Sequence, residues 1–155
     1  MNMLTALAIA AAVLLAVWVK VTSMAGMFWY VGVLGWACFS AAGGKMNGLK
    51  KSIAGGIAGM FWVAVAEFVV LRFGAPQFEW IALGIAVFII VIEAKLPLLA
   101  FIPAGLCGVA VIGAGGPIGI FDAPTNIKLG LSFVIGAVVG YLADWAGGLL
   151  TKKAY

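Results

Sequence analysis

A chain of 155 residues with 66% hydrophobic and only 9% charged side chains cannot build a water-soluble surface. A soluble domain carries roughly 25% charged residues, so the bilayer must be the solvent for most of this one. The net charge of +4 comes from basic residues scattered singly or in pairs at the ends of apolar segments. That is the distribution of topology determinants, not of a nucleic-acid surface. Histidine is absent, which removes the commonest general base and metal ligand.

At about 20 residues per span, the length accommodates one compact helical domain of six or seven membrane helices and no soluble catalytic module. The apolar runs divide into six segments. The first, about Leu4–Lys20, follows a start without a basic region and reads as a retained helix, not a cleaved signal. The second is about Met24–Ala42, followed by Gly43-Gly44-Lys45. The third is about Leu49–Leu71, closed by Arg72-Phe-Gly74-Ala-Pro76. The fourth is about Phe78–Ala94, the fifth about Leu98–Ala114 and the sixth about Ile127–Leu150. The first and fourth are short for a full span. The longest break, Gly115 to Pro124, precedes the sixth. Trp29, Trp62, Trp80 and Trp145 lie towards segment ends, where indole rings settle at the membrane interface.

Alternating sides place Lys45, Lys50, Lys51, Lys95, Lys152 and Lys153 on the side of the N-terminus, against Lys20, Arg72 and Lys128 on the other. The excess predicts both termini in the cytoplasm. Cys38 and Cys107 both fall inside apolar segments and read as free buried thiols.

The chain repeats itself. Gly32-Val-Leu-Gly35-Trp-Ala-Cys-Phe-Ser-Ala-Ala-Gly43 aligns without gaps on Gly105-Leu-Cys-Gly108-Val-Ala-Val-Ile-Gly-Ala-Gly-Gly116. Gly32 meets Gly105, Gly35 meets Gly108, Ala37 meets Ala110 and Ala41 meets Ala114. Lys20 corresponds roughly to Lys95. Gly55 and Gly59 in the third segment resemble Gly136 and Gly140 in the sixth, while Lys51 and Glu67 are spaced as Lys128 and Asp144 are. The latter spacing, about 24 Å along a helix, is close to the hydrocarbon thickness. The glycine pairs and the charge pairs imply registers one helical turn apart, and the sequence does not choose between them. Three spans per half require opposite insertion of the halves. The expected fold is therefore all-α, a polytopic bundle of two inverted three-helix repeats, about 4–71 and about 78–150.

Six spans, a glycine- and cysteine-containing second segment, Glu93-Ala-Lys95 before the fifth and Phe101-Ile-Pro103-Ala-Gly105 opening it are features that this chain shares with a known group. It resembles the YcdZ-type family of small bacterial inner-membrane proteins, defined by a domain of unknown function. The resemblance implies a bacterial inner-membrane location and supplies no activity.

Two uses compete for the small residues. They let helix backbones approach closely, or let backbone carbonyls line a cavity. On the second use Gly32, Gly35, Tyr30, Trp36, Pro103, Gly105, Gly108 and Cys107 are the candidate lining of a pathway between the halves, with the fifth helix kinked at Pro103. Gly55, Gly59, Gly136 and Gly140 read as packing faces between halves or between copies, which predicts a homo-oligomer. Glu67 and Asp144 read as charges that reach the interface, or as the two mouths of the pathway. The remaining interior polar groups are a few hydroxyls, thiols and indoles, too few for ion coupling. A passive channel or facilitator for a small uncharged solute (urea or another amide, ammonia, water) is expected, with no enzyme activity, cofactor or metal. A structural or accessory membrane subunit and a proton-coupled carrier are the alternatives. On the channel reading, Gly35→Leu and Gly108→Leu fold near normally and lose flux.

Overall fold

The computed structural model describes residues 3–114 and 123–152, and all of its regular structure is helical. The elements are α1 (Met3–Ala25), α2 (Trp29–Ala41), α3 (Lys45–Arg72), a single 3-10 turn (Pro76–Phe78), α4 (Glu79–Glu93), α5 (Ile102–Gly113) and α6 (Ala123–Lys152). Most of the break expected at Gly115 to Pro124 lies outside the described residues, as does Gly116.

Among the described residues, four helical stretches are long and apolar enough to cross a membrane: Met3–Ala25, Lys45–Arg72, Pro76–Glu93 and Pro124–Leu149. The second and fifth segments give shorter helices than their apolar runs suggest. α2 has 13 residues and α5 has 12, lengths of about 20 and 18 Å against a hydrocarbon core of about 30 Å. The apolar run of the second segment includes a turn at Gly26, and that of the fifth includes a loop after Pro97. Conversely α1 continues past Lys20, because nothing before Gly26 interrupts it.

Helices α1, α2 and α3 end alike. Gly26, Gly43 and Gly74 take left-handed φ of 63°, 92° and 60°. Met27, Gly44 and Ala75 then donate back to the carbonyls of Thr22, Phe39 and Val70. This motif satisfies carbonyls that the helix leaves open, as is required where no water reaches them. Gly44 and Lys45 prolong the left-handed run, with φ of 63° and 55°, and turn the chain into α3.

Long-range packing is reciprocal. α2 lies chiefly on α6, and α5 chiefly on α3; α1 also packs on α6, and α4 on α3; α3 and α6 meet in the middle. Gly32 meets Gly136, Trp36 and Phe39 meet Gly140, and Gly44 meets Asp144, so α2 and α6 run in the same direction. The core between them is apolar and filled, with Val31, Val63, Val111, Leu129 and Phe133 each at most 1% exposed. Outward faces keep large apolar side chains such as Val13, Phe61, Ile85 and Phe88 exposed, as expected where lipid is the surrounding medium.

Candidate functional site

The duplicated glycines sit at two helix crossings. A methyl group on Gly35 would collide with the carbonyl oxygen of Phe133, and one on Gly136 with that of Gly32. At the other crossing a methyl group on Gly59 would collide with the carbonyl oxygen of Gly105, and one on Gly108 with that of Gly56. Each crossing is backbone against backbone, which only glycine permits. A glycine in a helix interior costs about 1 kcal/mol relative to alanine. Close packing along two helices offsets that cost.

These contacts also choose the register. Gly59 stands to Gly105 as Gly136 stands to Gly32, and Gly56 stands to Gly108 as Phe133 stands to Gly35. Helices α3 and α6 therefore correspond through Gly59 and Gly136, the register of the charge pairs, and not through Gly55 and Gly136. Gly55 instead packs on Ala104, Gly105 and Phe101, and Gly140 on the rings of Trp36 and Phe39. The glycines expected to provide spare faces for a second copy are thus used within one chain.

In that register α3 and α6 differ at one central position. Gly56 and Phe133 are corresponding positions, and the Phe133 ring occupies the space that a side chain on Gly56 would need. The middle of the bundle is filled by one large ring facing one missing side chain. Sequence reading passed over both residues. The doubled Gly55-Gly56 was the available signal, since one glycine at a crossing does not require the next.

Cys38 on α2 and Cys107 on α5 lie in one core, where those two helices touch. Cys38 is buried, and Cys107 packs against the same core while keeping some accessible surface.

The turn from α1 to α2 is tied to α6. Ser132, fully buried, accepts a hydrogen bond from the backbone N–H of Phe28 at 3.1 Å and donates to the Lys128 carbonyl at 2.7 Å. Trp18 Nε1 donates to the Trp29 carbonyl at 3.0 Å, and Gly32 makes room for that indole. At the start of α5 the problem is solved differently. Pro103 lies in the first turn, where it has no N–H to satisfy. Pro103 therefore begins the helix and does not kink it. Ser132→Ala should strand the Phe28 N–H in an apolar interior and lower stability by about 1–3 kcal/mol. Thermal unfolding in detergent against wild type measures the loss.

The expected pathway residues do not converge. Gly32, Gly35 and Trp36 lie against α6, and Gly105 and Gly108 lie against α3. Tyr30 and Pro103 are exposed on the outside. Gly35 and Gly108 belong to separate crossings and do not face each other across a gap. The two acidic residues also differ from one another. Asp144 is exposed, beside Gly44 at the start of α3, whereas Glu67 is 5% exposed. Glu67 lies in α3 a little over one turn before the helix ends at Arg72.

Cavities open outward between helices. One of about 540 Å³ lies between α1 and α6 by Val13 and Leu142, and one of about 150 Å³ between α3 and α4 by Ile85. Another, of about 400 Å³, lies beside Phe61 and Asn126, whose buried side-chain nitrogen has no hydrogen-bond partner. A fourth, of about 340 Å³, lies at the end of the bundle by Lys45, Tyr141 and Asp144.

An all-helical bundle with apolar outer faces, spanning stretches and glycine crossings is a membrane protein. The chain belongs to the family described as "Protein of unknown function (DUF1097)", whose model matches residues 8–148. It is 32% identical to the inner membrane protein YcdZ of Escherichia coli (strain K12), over 99% of this chain and 91% of that protein. It is 28% identical to the uncharacterized protein YahC of the same strain, over 98% and 95% of the two chains. No solved structure matches it.

Proposed function

We propose that this is a multi-pass protein of a bacterial inner membrane, with both termini cytoplasmic, that passes a small uncharged solute along the seam between two inverted halves. The reciprocal pairing carries this reading: α2 crosses to α6 and α5 crosses to α3, each through the same backbone contacts. Inverted repeats joined in this way are a common architecture of transporters, with the site at the repeat interface. The name of the Escherichia coli relative supports the location. At the seam the side chains are Cys38, Cys107, Met60, Phe133 and Leu34, which offer nothing to a charged solute. Urea, other amides, ammonia and water are the class that fits.

In this conformation the seam is closed at Phe133 and Gly56, so passage requires that ring to move. We assign no catalytic role, because a chain without histidine supplies no nucleophile–base pair from its few polar residues. Association of copies would use the outward faces of α1 and α4, not the glycine faces.

A second reading is favoured by the closed crossings themselves: a structural or accessory membrane subunit that conducts nothing. Purified protein in vesicles separates the two. Stopped-flow swelling with urea, acetamide, ammonia and water should be faster than in empty vesicles for at least one solute. Rates equal to empty vesicles across the panel would exclude the channel reading. The burial of Glu67 favours proton coupling as a third. In that case Glu67→Gln abolishes a flux that wild type drives with a proton gradient.

A further inference from the structure

We propose that Cys38 and Cys107 form an oxidation site in which a peroxide joins the two halves by a disulfide between α2 and α5. Three observations meet here. The thiols share one core, Cys38 within its buried cluster and Cys107 packed against it, at a contact between helices of different repeats. Cys107 keeps accessible surface while Cys38 is 3% exposed. Val31, Ala104 and Val111, around them in the core, are fully buried.

The exposure difference assigns the roles. Cys107 is the thiol an oxidant reaches, and Cys38 resolves the product. Close packing excludes bulky oxidants, whereas hydrogen peroxide is small, uncharged and of the size that enters an apolar bundle. The Cys107 sulfur attacks one peroxide oxygen, the O–O bond breaks, and one water leaves with the thiol proton. The resulting sulfenic acid is then attacked by the Cys38 sulfur. The S–S bond forms, the S–O bond breaks, and the hydroxyl leaves as a second water with the Cys38 proton. Two thiols are oxidised and one peroxide is reduced to two waters, so no other reactant is needed. Burial slows the first step, and the second thiol in the same core lets the sulfenic acid be resolved within the chain. The product staples α2 to α5, which connects the halves covalently where they otherwise only touch.

The site is independent of solute passage and is tested without it. Wild-type protein in vesicles is treated with hydrogen peroxide, denatured in SDS and alkylated. Both thiols should be lost to alkylation, the intact mass should fall by two hydrogens, and the chain should remain monomeric. A reductant should restore both thiols. Cys38→Ser should stop at a sulfenic acid on Cys107 that dimedone captures, and Cys107→Ser should leave Cys38 unmodified. Two alkylatable thiols after peroxide, a disulfide between copies, or over-oxidation of Cys107 in wild type would each overturn the proposal.

Discussion

Gly35→Leu and Gly108→Leu should each leave the protein unable to hold its fold. The new side chain would enter the space of a carbonyl group, at Phe133 in one crossing and at Gly56 in the other. Overpacking against side chains costs about 1–3 kcal/mol, because rotamers can shift. Helix backbone cannot shift without separating α2 from α6 or α5 from α3, so a loss of about 3 kcal/mol or more is expected. In mild detergent both variants should melt far below wild type or fail to accumulate. Gly84→Leu is the control, since nothing lies within 4 Å of a methyl group there, and it should melt near wild type. If Gly35→Leu and Gly108→Leu melt beside Gly84→Leu, the crossings are misplaced. On the channel reading of the sequence the expectation was the opposite, near-normal folding with lost flux, while the close-packing reading expected lost stability. The channel reading placed the two glycines on facing walls of one passage.

The second large effect concerns the unequal pair in the middle. Phe133→Ala should destabilise the bundle by about 3–5 kcal/mol, the usual range for removing a buried phenylalanine. Gly56→Leu should be comparably harmful, because its side chain meets the Phe133 ring. Combined, the two should be less harmful than their sum, since each supplies the space or the volume that the other disturbs. A favourable coupling of about 0.5–3 kcal/mol is expected for residues in such contact. Unfolding of wild type, both single variants and the double variant measures it. Simple additivity would mean that the ring does not fill the glycine's space. On the proposed function Phe133→Ala also admits the solute faster than wild type, whereas a structural subunit leaves both at the vesicle background.

Some of this was readable from the residues and some was not. The alignment of Gly32 and Gly35 on Gly105 and Gly108 identified the residues at the crossings but not their use, because close packing and a lined passage both demand the same missing side chains. The register between α3 and α6 was ambiguous because Gly55, Gly59, Gly136 and Gly140 repeat every helical turn. A shift of one turn preserves such a pattern, and only the carbonyls of Gly32 and Gly105 distinguish the alternatives. Pro103 suggested a kink because its neighbours are apolar on both sides. Its place in the first turn of α5 depends on the loop after Pro97, which hydropathy does not reveal. Ser132 counted only as one of a few interior hydroxyls, since its partner, the Phe28 N–H, lies 104 residues away along the chain.

What the sequence determined by itself is the medium and the material. With 66% hydrophobic and 9% charged residues, the chain must place most of its surface in lipid. Its long apolar runs must be helical, because lipid offers backbone groups no other partner. These conclusions need only composition and local order, which every residue carries with it. The tertiary structure decided which helix each glycine face meets, which carboxylate is buried and what fills the middle. Those outcomes depend on residues far apart in the chain that become neighbours only after folding. Phe133 lies opposite Gly56 because two helices cross at one depth, and nothing local to either residue specifies that depth.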